Sequence, residues 1–122
     1  MRARLPAGAA VDLERAAGDD PDARVRAAAL GALARAAGRR RATAAWRVAL
    51  ADADPAVRRR AADLAPGLDA PARPLLVLLA DDDVTVIEAS AWALGELGTA
   101  AVVHLSISFH STSRDGVELL RQ

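Results

Sequence analysis

Asp20-Pro21-Asp22-Ala23-Arg24-Val25-Arg26 returns as Asp52-Ala53-Asp54-Pro55-Ala56-Val57-Arg58, and more loosely as Asp81-Asp82-Asp83-Val84-Thr85-Val86-Ile87. In each copy a valine stands five residues after an aspartate, and the valines are spaced by 32 and then 29 residues. A unit of about 30 residues is the signature of a repeat architecture. From each valine an apolar pattern of helical period runs on: Val25, Ala29, Ala32, Leu33; Val57, Ala61, Leu64; Val86, Ala93, Leu94, Leu97. Upstream of each lies a second helical run, over 11–17, 42–51 and 74–80, so each unit reads as a helical hairpin with the aspartates in its turn. Pro21 and Pro55 fit a first helical turn, with Asp20 and Asp54 before them as N-caps. Leu13, Trp46 and Leu75 fall at equivalent inward positions, which makes Trp46 a core residue. Gly18, Gly38, Gly67 and Gly98 are expected at helix ends, in the left-handed conformation that closes a last turn.

Composition points the same way. Of 122 residues 52% are hydrophobic, but 32 are alanine, so the core is expected to be thin and close-packed. Two Trp, one Phe and no Tyr argue against a base-stacking platform. The absence of Cys removes disulfides, thiolate nucleophiles and zinc ribbons. All 16 basic residues are arginine, with no lysine and no asparagine, a bias expected of a high-GC bacterial genome. Met1 to Leu5 imitates a basic leader, but Pro6, Gly8, Asp12 and Glu14 interrupt any apolar stretch. The longest apolar run is Leu75 to Ala80, so a cytoplasmic protein without a membrane span is the default reading.

The patterns Asp20-Pro21-x-x-x-Val25-Arg26 with Leu33, Asp54-Pro55-x-Val57-Arg58 with Leu64, and Val86 with Ala93-Leu94-Gly95-Glu96-Leu97-Gly98 resemble HEAT-type repeats. The likeness is to the short bacterial subclass named after phycobilisome lyases, and covers about residues 6 to 98. It implies an all-α right-handed solenoid of three helical hairpins, with repeats over about 6–37, 39–67 and 71–98, and a diverged segment over 99–122. It also implies a ladder between repeats, with Asp20, Asp52 and Asp81 opposite Arg26 and Arg58. Ile87 departs from that pattern, standing where an arginine is expected. In function the resemblance implies a non-catalytic protein-binding scaffold.

At 100° per residue, positions two and six after each valine point away from the core stripe: Ala27 and Gly31, Arg59 and Asp63, Glu88 and Trp92. In a stacked solenoid these form a strip along the inner wall. Trp92, with Glu88, Arg59 and Asp63, has the composition of a binding hot spot; alternatively Trp92 packs under the C-terminal segment. Charge is polarised within a net of zero: residues 1–60 hold 13 arginines and seven acids (+6), residues 61–122 three arginines and nine acids (−6). Arg39, Arg40 and Arg41, read as an interhelix loop, and Arg58, Arg59 and Arg60, read as a helix first turn, are candidate phosphate contacts in an alternative nucleic-acid reading. The zero net charge and the lack of stacking aromatics stand against it. Weak head-to-tail self-association of basic and acidic ends is a further option.

No catalytic motif is found, and no cofactor is expected. His104 and His110, six apart, do not share a helix face as metal ligands at i, i+4 would. Asp81-Asp82-Asp83 reads as caps and solvated charge rather than a cation site. An accessory subunit of a lyase-like enzyme is the third functional reading. After Thr99 the repeat is lost. Leu105 to Phe109 alternates with a strand-like period, yet its context favours a helix over Val102 to Phe109 that caps the third repeat. Gly116 to Arg121 is expected to form a short terminal helix or to fray. A diverged cap, a piece of a longer array and a frame-disrupted tail remain as readings of the segment.

Overall fold

The computed structural model describes residues 6–111, apart from the side chains of Ala7 and of residues 101–111. The expected short terminal helix near Gly116 to Arg121 lies outside the described residues. The fold is all-α: α1 (Ala7–Asp19), α2 (Ala23–Ala36), α3 (Arg39–Ala49), α4 (Pro55–Leu68), α5 (Ala72–Leu78) and α6 (Val84–Ser111), with no strand among the described residues. Successive helices pair, α1 on α2, α3 on α4 and α5 on α6, while α2, α4 and α6 pack in a row, α4 touching both of the others.

The helix starts follow from the turn aspartates. Asp22 and Asp54 are N-caps, accepting from the backbone N–H of Arg24 at 2.9 Å and of Ala56 at 2.8 Å. Asp83, directly before α6, accepts from Thr85 N–H at 2.8 Å and from the Thr85 hydroxyl. Each satisfies an N–H that the first helical turn leaves orphaned. Pro55 takes the first position of α4, where its missing N–H costs nothing.

The core is one cluster in which alanine lets helices approach closely, with a few larger side chains filling the gaps: Leu30, Leu33, Trp46, Val57, Leu75 and Val86 are all but inaccessible. Trp46 donates its indole N–H to the carbonyl of Ala61 at 2.7 Å, which fastens α3 to α4. Pro66, one turn further along α4, has no N–H to offer the carbonyl of Ala62.

Several expectations are corrected. Val25 is 41% exposed, whereas its counterparts Val57 and Val86 are 1% and 0% exposed. The reason is positional: α4 packs against α2 and α6 against α4, but no described helix lies on the corresponding side of α2. The cap of α2 is Asp22, not Asp20, and Pro21 precedes the helix instead of opening it. Alignment on the valines pairs Asp22 with Asp54 and Asp83, and so pairs Pro21 with Ala53, outside the helix. Gly18 and Gly67 do fall in the last turns of α1 and α4 but keep the helical conformation, while Gly98 lies in the interior of α6. Only Gly38, at φ 87°, uses the freedom a missing Cβ gives, and α4 is closed instead by Asp69 at φ 51°. Because Gly38 turns the chain at once, no loop follows: Arg39, Arg40 and Arg41 are the first turn of α3. Arg58 to Arg60 begin at the fourth residue of α4, not in its opening turn. The helix expected over Val102 to Phe109 is present, but as the unbroken continuation of α6 through Gly98 to Ser111 and not as a separate element.

Candidate functional site

The most elaborated feature is a ladder of turn aspartates and helix arginines. Asp20, Asp52 and Asp81 each accept the backbone N–H two residues on (Asp22, Asp54, Asp83), every time at 2.9 Å. This side-chain-to-backbone bond shapes the turn before each capped helix. Arg26 crosses to the next turn, its Nε 2.9 Å from Asp52 Oδ2 and its Nη2 3.0 Å from Oδ1, while Nη1 donates to the carbonyl of its own turn at Asp20 (2.8 Å). Arg58 repeats the arrangement on Asp81 at 2.8 and 3.1 Å, and donates Nη1 to the carbonyls of Asp52 (2.7 Å) and Ala53 (3.1 Å). Planar bidentate pairing of this kind is what arginine supplies and lysine cannot.

These pairs are shielded without being entombed, the side chains of Arg58 and Asp81 being 18% and 8% exposed. The Arg58 guanidinium, then the Asp83 N–H, hold the Asp81 carboxyl below its ordinary range. At Asp52 burial pushes the carboxyl up, but Arg26 and the Asp54 N–H outweigh it and leave it lowered. Arg26 and Arg58 are correspondingly raised, first by their bonds to Asp52 and Asp81. The ladder has two open ends. The Asp20 carboxylate accepts no guanidinium hydrogen bond among the described residues, and Ile87 offers none to a further turn.

Arg59, Asp63, Glu88 and Trp92 are all exposed, on the adjacent helices α4 and α6, and Trp92 is 52% exposed. The strip does not extend onto α2, where Ala27 is half-buried and Gly31 is buried beneath Arg60. A Cβ on Gly31 would meet Arg60 Nη2 at 2.7 Å, so glycine here makes room for a guanidinium. The two arginine triplets are mostly occupied within the fold. Arg58 is in the ladder, Arg60 lies over Gly31, Arg41 reaches Glu14 of α1 at 3.2 Å, and Arg39 stands 4.0 Å from Asp69. Arg40 and Arg59 carry no ion pair among the described residues.

Other features had no signal in the sequence. Glu14, Ala17, Gly18, Arg40, Ala44 and Val48 line a groove of about 430 Å³ between α1 and α3. Leu76 and Val77 of α5, Leu79 just after it and Val84 at the start of α6 are exposed. Ser90 is fully buried in α6 with its hydroxyl unpartnered, at the position held by Ala29 and Ala61 in the other units. Among the described residues no cluster of three or more His, Asp or Glu could hold a metal ion, and no helix is long and apolar enough to cross a membrane. The side chains of His104 and His110 lie outside the described residues.

Comparison with family models, with curated proteins and with solved structures finds no match to this chain.

Proposed function

We propose that the chain is a right-handed solenoid of three HEAT-like hairpins, α1–α2, α3–α4 and α5–α6, and that it serves as a non-catalytic scaffold that binds another protein along α4 and α6. The observation that carries this reading is the half-exposed Trp92, set beside charged residues on two helices whose opposite faces are buried. A large aromatic on a rigid support, one turn from Glu88 on α6 and on a helix packed against the α4 that exposes Arg59 and Asp63, loses little conformational freedom on binding and gains much contact area. The Arg58–Asp81 pair holds the turns before α4 and α6 together, so the strip is presented without prior ordering. With most of the basic triplets engaged by acids or packed on the fold, a phosphate-binding role draws no support from their placement.

The test is capture of partners by the full chain, followed by binding measurements with the purified partner. Trp92→Ala is expected to weaken binding by roughly 30-fold, as loss of a hot-spot aromatic does. Undiminished binding by Trp92→Ala, together with undiminished binding by Glu88→Arg, would remove the strip as the interface.

A further inference from the structure

The end of the molecule formed by α1 and α2 repeats, uncovered, a surface that is covered twice elsewhere in the same fold. Val57 and Ala61 of α4 are buried, and α4 packs against α2; Val86, Ser90 and Ala93 of α6 are buried, and α6 packs against α4. The equivalent face of α2 carries Val25, Ala28, Ala29 and Ala32. With Leu13 and Ala16 of α1 they line an open groove of about 600 Å³. Val25 and Ala28 are exposed. Beside the groove stands Asp20, whose Oδ1 already accepts the Asp22 N–H as in the two paired turns, and whose carboxylate accepts no guanidinium hydrogen bond among the described residues. Asp12, Asp19 and Asp20 line the adjoining hollow together with Arg15, and Asp22 and Arg24 line the groove itself, so four acids face two arginines and the balance of charge favours a basic partner.

We propose that this face docks a helical hairpin of a partner protein, whose second helix lays a small apolar side over Val25 and Ala28 and presents an arginine to Asp20. The occupant is defined by the two internal interfaces: at each, a helix covers the valine and its arginine grips the turn aspartate through both carboxylate oxygens. A second copy of this chain is the poorer fit, because the unit at its opposite end carries Ile87 in place of the arginine. The face lies apart from the Trp92 strip and does not depend on it, so either assignment can fail while the other stands.

Tethering raises the effective concentration of a hairpin enough to reveal docking. The probe is therefore the full chain extended at Pro6 by an added copy of residues 6–38, which brings its own arginine equivalent to Arg26. The extended chain is expected to unfold in a single transition, about 5 °C or more above the unmodified chain. Asp20→Asn, or replacement of the added copy's arginine by alanine, should each remove a large part of that gain, and the two together no more than either alone. Val25→Asp should abolish the gain yet leave the unmodified chain's melting temperature almost unchanged. Separate melting of the added hairpin, or a gain indifferent to Asp20→Asn, would overturn the proposal. So would a dimer of the unmodified chain in sedimentation that disappears with Val25→Asp, because the face would then belong to a second copy. A loss of stability in the unmodified chain on replacing Arg2 and Arg4 that equals the loss from Asp20→Asn would give the site to the chain's own residues 1–5 and equally overturn it.

Discussion

At Asp52 and at Asp20 the chain makes the same turn: an aspartate accepts the N–H two residues ahead at 2.9 Å, a second aspartate caps the helix, and a valine and an arginine follow in that helix. Around Asp52 the carboxylate is gripped by Arg26 and the valine is sealed; around Asp20 the carboxylate accepts from no arginine among the described residues and the valine is 41% exposed. Identical local chemistry therefore coexists with two different tertiary settings. The difference teaches that the turn aspartates do two separable jobs, a local one in shaping the turn and a long-range one in joining helix pairs, and only the second requires a neighbour.

The sharpest way to stress this comparison is through the packing that the internal positions have and the first lacks. Trp46→Ala, which empties a fully enclosed site and orphans the bond to Ala61, is expected to cost about 3–5 kcal/mol, measured by urea unfolding. Val57→Ala should cost about 2 kcal/mol, whereas Val25→Ala should stay within about 0.5 kcal/mol; equal effects would mean that exposure does not separate the two ends. Next in size is the ladder. Arg58→Ala is expected to cost about 1–2 kcal/mol, less than a fully buried pair because solvent still reaches part of it. Asp52→Asn should destabilise more than Asp20→Asn, since asparagine keeps the acceptor for the turn N–H and loses only what an arginine was using.

Acid titration resolves the same contrast. Asp52 and Asp81 have carboxyls held below the ordinary value near 3.8, so on acidification the unfolded chain takes up protons before the folded one does. Their contribution is fully present above that ordinary value and is lost as pH falls through the lowered folded values. The unmodified chain should thus lose stability as the pH falls below the ordinary carboxyl value near 3.8, and Asp81→Asn should flatten that slope. An unchanged slope would show that the Arg58–Asp81 pair is not coupled to folding. The smallest effect is expected at Trp92: Trp92→Ala should alter unfolding by no more than about 0.5 kcal/mol, because the ring is half-exposed.

Much of the helical organisation was legible because the repeat imposes it. Three valines in register, with helical apolar spacing after each, place α2, α4 and α6, and an indole at an inward position of α3 reads as core. What failed was of two kinds. The glycines misled because a helix held by tertiary packing tolerates the roughly 1 kcal/mol that an interior glycine costs, and nothing local distinguishes Gly38 from Gly98. Arg39 to Arg41 misled because three like charges suit a loop, whereas the two-residue connection after Ala36 leaves no loop to hold them. Of the candidate strip, the exposure of Arg59, Asp63, Glu88 and Trp92 followed from the helical angle alone. That Gly31 is covered by Arg60 did not, because it depends on α4 crossing α2 at that point.

The sequence by itself determined the local order of this protein: which residues turn, which cap and which side of each helix is apolar, since these depend on contacts within about one helical turn. The tertiary structure alone decided which of the equivalent aspartates and valines found a partner. Ion pairing between Arg26 and Asp52 or Arg58 and Asp81, and the sealing of Val57 but not Val25, require a second helix pair at bonding distance, and whether one is present is a property of place in the row α2, α4, α6 rather than of the residue.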